Sequence, residues 1–130
     1  MARQKSELLT SVELEFMKTL WSIGKGSVRD VMGALSDPGQ RAYTSVATVL
    51  KILHDKGYLV SEKKDRALVY APTLAREDYE ARSLRSLSRT LFDGTPSALV
   101  ARLVDDESLD EAEMAAIRQV INDRIGRDDG

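Results

Sequence analysis

Ser45, Thr48 and Lys51, with the small Ala47 among them, recur at a spacing that brings short hydrogen-bonding groups and one cation to a single face if the segment is helical. Such a face breaks no bonds. It suits a DNA major groove, where hydroxyls pair with base edges and small methyl groups meet the thymine methyl. Residues for covalent chemistry are scarce: there is no Cys and only one His, which excludes a thiol switch, a disulfide framework and a zinc finger. His54 has no nucleophile or paired carboxylate beside it in a motif, so it is expected to be a solvated or phosphate-adjacent imidazole rather than a general base. No Gly-rich phosphate loop occurs, and the run Asp105-Asp106-Glu107 lacks the Gly and regularly spaced oxygens of a calcium loop. The expectation is a non-enzyme with no cofactor and no metal.

The element that must present this face is a helix from about Thr44 to Lys56, because Val46, Val49, Leu50 and Leu53 recur at i, i+3, i+4 and i+7 as a stripe for a core. Gly57 ends it. Tyr58–Glu62 and Ala67–Ala71 predict two short strands around the polar turn Lys63-Lys64-Asp65-Arg66, a hairpin whose basic tip can approach phosphates or an adjacent minor groove. Upstream, Thr10-Ser11-Val12-Glu13 forms a capping box for a first helix carrying Leu14, Phe16, Met17, Leu20, Trp21 and Ile23, which ends at Gly24-Lys25-Gly26. Ser27-Val28-Arg29-Asp30 opens a second, short helix with Val28, Val31, Met32 and Leu35, broken by Ser36-Asp37-Pro38-Gly39. The order helix, helix, helix, strand, strand predicts a helix-turn-helix with a hairpin wing.

Beyond Pro72 three more helices are expected: one capped by Thr73 and running to about Phe92, one over Ala98–Val104, and one capped by Ser108 that carries Met114, Ile117, Val120, Ile121 and Ile125. Their apolar stripes, with Leu84, Leu87 and Leu91 on the first and Leu99 and Leu103 on the second, are too narrow for an independent core. A second copy of the chain would complete it, giving a homodimer with an isologous interface. The fold class is therefore mainly α with a small β-hairpin: a winged helix-turn-helix DNA-binding domain over 1–74, then a three-helix dimerisation region over 75–130.

Charge follows the same division. The 130-residue chain carries a net −2, yet residues 1–74 hold eleven Lys and Arg against eight Asp and Glu, whereas residues 75–130 hold eight against thirteen. Positive charge lies where phosphate contacts are expected. No apolar run reaches membrane-spanning length and Met1–Lys5 leads into no signal-peptide core, so a soluble cytoplasmic protein without a membrane partner is expected.

The dispersed motifs Ser27-Val28-Arg29-Asp30-Val31, Ala42-Tyr43-Thr44-Ser45-Val46-Ala47-Thr48-Val49-Leu50, Lys56-Gly57-Tyr58-Leu59 and Arg66-Ala67-Leu68-Val69-Tyr70-Ala71-Pro72 together resemble the penicillinase-repressor family of BlaI/MecI/CopY type. The resemblance extends over almost the whole chain, including Trp21 and the helical tail. It implies a homodimeric winged-helix repressor of bacterial genes, bound to a palindromic double-stranded operator with TACA/TGTA half-sites. By the same resemblance Tyr43, Thr44, Ser45, Ala47, Thr48 and Lys51 occupy the recognition-helix positions, and Lys63, Lys64 and Arg66 the wing. Ile52 departs from the family, where a basic residue is common. The Cys cluster of the copper-sensing branch is missing. In the antibiotic-resistance branch a sensor-linked protease cuts an Asn-Phe bond in the dimerisation region, and the matching bond here is Arg102-Leu103. Control of β-lactamase genes and control of a respiratory, membrane or stress operon both stay open. The competing class is a winged protein-interaction module, an anti-activator or scaffold without sequence-specific DNA binding.

Overall fold

The computed structural model describes residues 8–36, 39–106 and 108–129. Asp37 and Pro38 of the expected turn, Glu107 of the acidic run and the first seven residues lie outside that set. The described elements run α1 (Ser11–Ile23), α2 (Val28–Ala34), α3 (Tyr43–Asp55), β1 (Leu59–Lys64), β2 (Ala67–Pro72), α4 (Arg76–Leu91), α5 (Pro96–Val104) and α6 (Glu111–Asp129). Two compact units part between Ser86 and Leu87, within α4.

In the first unit, both expected capping boxes form: Thr10 with Glu13 at α1, and Ser27 with Asp30 at α2. Each satisfies amide donors that a helix start leaves without an internal partner. α1 contributes Phe16, Met17 and Leu20 to the core, α2 contributes Val31, and α3 contributes Val46, Leu50 and Leu53, all fully buried. Burying these stripes against each other sets the helix-turn-helix, at roughly 1.5–3 kcal/mol per large side chain. The turn region is tied to α1 as well, since Arg41 Nη2 donates to Glu15 Oε1 at 2.9 Å and the Ser36 hydroxyl donates to Glu15 Oε2.

β1 and β2 pair antiparallel from Leu59↔Pro72 to Lys64↔Ala67. The strands are thus longer and the turn tighter than the sequence suggested, because Lys63 and Lys64 belong to the ladder and only Asp65 and Arg66 turn. Both have positive φ, 51° and 72°, as a two-residue type I′ hairpin requires to match strand twist. Tyr70 also exchanges two backbone hydrogen bonds with Gly26, so the wing is anchored just ahead of α2. A side chain at Gly26 would bring its Cβ to 2.9 Å from Asp30 Cβ and 3.0 Å from Ile23 Cδ1, which explains the glycine.

The sequence expected Thr73 to cap α4, whereas its hydroxyl donates to the Gly57 carbonyl and its N–H to the Tyr58 carbonyl. Closing the loop after α3 occupies that residue, and α4 starts three residues later. The first turns of α4 belong to the winged core. Tyr79 is buried, its hydroxyl accepts the Leu9 N–H at 2.9 Å, and its ring lies 5.8 Å from Trp21 and 6.1 Å from Tyr58. Trp21 Nε1 donates to the Leu74 carbonyl, satisfying the one polar atom of a half-buried ring.

In the second unit, Asp93 and Gly94 turn the chain with positive φ and Pro96 opens α5. α6 starts at Glu111 rather than at a Ser108 cap, because Asp110 Oδ1 accepts the Glu113 N–H while Ser108 N–H is taken up by Asp106 in a local turn. That bond lowers the Asp106 pKa. α5 buries none of its residues. Leu91, Leu103, Val120, Ile121 and Ile125 are exposed, at 46–68%.

Candidate nucleic-acid interface

α3 is amphipathic in the manner its sequence implied: Tyr43, Thr44, Ser45, Thr48 and Lys51 are exposed on one side, opposite the fully buried Val46, Leu50 and Leu53. Ala47 lies at the margin, half-buried against the core. Ala42, the N-cap, makes no side-chain capping bond. Ile52, where the resemblance expects a cation, is 40% exposed.

Local bonds modify what the face can do. The Thr48 hydroxyl donates to the Thr44 carbonyl one turn back at 2.8 Å. Its proton is therefore occupied, and the side chain offers its methyl group and acceptor lone pairs to a ligand. Lys51 Nζ lies 3.2 Å from Asp55 Oδ2, both groups well exposed. The hydrogen bond from Lys51 holds the Asp55 carboxyl below its ordinary pKa. An exposed pair of this kind contributes little to stability and gives way readily to phosphate. His54 is exposed, with Nδ1 3.5 Å from Asp55 Oδ1 and its ring edge-on to Tyr70 at 6.4 Å.

On the wing, Lys63, Lys64 and Arg66 are all exposed. Successive strand residues point to opposite faces, so Lys63 and Lys64 are separated across the ribbon rather than combined. Arg66 is brought next to the recognition helix: it lines one cavity together with Tyr43 and Ala47. Arg29 lines the same cavity, its guanidinium carbon 5.4 Å from the centroid of the Tyr43 ring. Sequence reasoning placed Arg29 inside a capping box and a family motif but did not assign it to the DNA-binding face. The available signal was a cation one position past the first helical residue of α2, but nothing local marked which element it would face.

Of the residues expected to dimerise, Leu84, Leu91, Leu103, Met114, Val120 and Ile121 are exposed and Leu87, Leu99 and Ile117 half-buried. Arg102 and Leu103 lie within α5, both exposed. Among the described residues no group of three or more His, Asp or Glu could hold a metal ion, and no helix is long and apolar enough to cross a membrane.

Three helices, a paired wing and an exposed hydroxyl-and-cation face on the third helix define a winged helix-turn-helix protein of the DNA-binding class. The chain belongs to the penicillinase repressor family, whose family model matches residues 9–123. It is similar to the penicillinase repressor of Bacillus licheniformis, with 25% identity over 124 residues, 95% of this chain and 97% of that one. It is 33% identical to the transcriptional regulator BlaI of Mycobacterium tuberculosis (strain CDC 1551 / Oshkosh) over 115 residues, 87% of this chain and 82% of the other. The solved DNA-binding domain of the repressor BlaI aligns with a TM-score of 0.50 and 30% identity, covering 59% of this chain and 94% of that domain. The family and these relatives support a transcriptional repressor.

Proposed function

We propose that the protein represses transcription by binding a palindromic operator as a homodimer. In this reading Tyr43, Thr44, Ser45, Ala47 and Thr48 meet base edges and the flanking backbone, and Lys51, Lys63, Lys64 and Arg66 meet phosphates. The observation that carries it is the two-sidedness of α3, with its apolar stripe fully buried and its hydroxyl face wholly exposed beside a basic wing. A dimer is supported by the exposed apolar residues of α5 and α6, which find no core within their own unit. The division at 1–74 and 75–130 is retained as a functional one, although Tyr79 in the first turns of α4 packs in the winged core. Scission at Arg102-Leu103 by a sensor-linked protease would relieve repression by separating the two copies. Because that bond is helical, cleavage requires local unfolding of α5.

Titration of full-length protein against a duplex with inverted TACA and TGTA half-sites and against a random duplex, over a salt series, tests the reading. Affinity should fall steeply with salt and favour the half-site duplex by about a thousandfold or more. Equal, salt-insensitive binding to both duplexes would instead support a protein-interaction module.

A further inference from the structure

The cavity between the start of α2, the start of α3 and the hairpin has a volume of about 380 Å³, and its walls include Ser27, Arg29, Tyr43, Ala47 and Arg66. Two arginines from separate elements line it, and no Asp or Glu is among the lining residues. The Arg29 guanidinium carbon lies over the Tyr43 ring, 5.4 Å from its centroid. Attraction between a cation and a ring face favours this placement, and the planar fork has further N–H donors for an anion. Asp30, the adjacent carboxylate, is engaged elsewhere, since its Oδ2 accepts the Ser27 N–H in the α2 cap. Arg66 is positioned by its place in the two-residue turn, at φ 72°. Ala47 on the helix and Ala67 on the hairpin add short side chains to the lining, and the volume has room for a compact tetrahedral anion.

We propose that Arg29, Tyr43 and Arg66 form a single phosphate-binding site that clamps one backbone phosphodiester of duplex DNA between the helix-turn-helix and the wing. The inference rests on the DNA-binding function proposed above. A phosphodiester suits the site because two forked cations can share its unesterified oxygens. The rim of the recognition helix is also where the backbone bordering a major groove passes. The site is complete only with the hairpin in register, so wing and helix act on the same phosphate rather than as independent contacts.

The test is fluorescence anisotropy of full-length protein with labelled duplexes, one random and one carrying inverted TACA and TGTA half-sites, over a potassium chloride series. Arg29→Ala should weaken both duplexes by about tenfold and reduce the salt slope by about 0.9 per bound protomer. Arg29→Lys should retain the slope but lose part of the affinity, because an ammonium lacks the planar fork. Arg29→Ala combined with Arg66→Ala should cost less than the product of the two single losses, as expected of residues sharing one phosphate. Unchanged slope and affinity for Arg29→Ala, while the wild-type protein binds with normal salt dependence, would overturn the clamp and leave the DNA-binding reading standing. A loss confined to the half-site duplex would also overturn it, by assigning Arg29 to a base. Absence of salt-dependent duplex binding by the wild-type protein would instead overturn the functional reading itself.

Discussion

Lys56, the C-cap of α3, donates to Glu13 Oε2 at 2.7 Å, and the same carboxylate accepts the Thr10 N–H through its other oxygen. One buried acid thus joins the start of α1 to the end of the recognition helix. Burial alone would raise the Glu13 pKa. The hydrogen bonds from Lys56 and Thr10, with the lysine charge, outweigh that and hold it below the usual 4.5.

A lowered folded-state pKa means that the stabilisation is present above the unfolded value and is lost as pH falls through the folded one. Thermal melts of the wild-type protein should therefore weaken below about pH 4.5. Glu13→Gln should cost about 1–2 kcal/mol at neutral pH and flatten that acid limb. An acid limb unchanged in Glu13→Gln would show that other carboxylates govern it.

Thr48 provides a test of the reading face, because its hydroxyl is held by Thr44 while its methyl group is free. Thr48→Ala should lower affinity for the half-site duplex by about 1–3 kcal/mol. Thr48→Val, which restores the methyl group, should recover most of that loss, whereas Thr48→Ser should not. The reverse order in a competition assay would show that the hydroxyl turns away from Thr44 to meet DNA.

The wing turn holds a non-glycine residue, Arg66, at φ 72°. A left-handed conformation costs a residue with a Cβ about 1–2 kcal/mol. Arg66→Gly should therefore raise the thermal midpoint while weakening binding to every duplex. A stabilised variant with full affinity would remove Arg66 from the interface.

Truncation separates the winged core from dimerisation. Residues 1–86 retain Tyr79 and should fold as a monomer with sharply reduced operator affinity, since two linked half-sites bind far more tightly than one. Ending the chain at residue 74 deletes Tyr79, with its contacts to Leu9, Trp21 and Tyr58, and should lose about 3–5 kcal/mol of stability. In the full chain, Ile117→Asp or Ile121→Asp should also yield monomers. Sedimentation of either variant as a dimer with intact operator binding would reject the proposed seam.

Much of this protein was legible in its order of residues because the governing forces are local. Capping boxes at Thr10 and Ser27, stripes such as Val46-Val49-Leu50-Leu53 and the Gly57 stop each act within a few residues of chain. They determined the helices of the head, the hairpin and the polar face of α3 without reference to anything distant. Contacts between separated elements carry no such signature, and only tertiary structure decided them. It ended the turn at Asp65-Arg66, took Thr73 away from α4 to close the Gly57 loop, and buried Tyr79 against Trp21. It also set Arg29 over Tyr43, in a cavity that Arg66 lines as well. The physical reason is that a cation shows its charge in the sequence, whereas the ring it stacks on and the anion it can hold depend on which elements the buried core draws together.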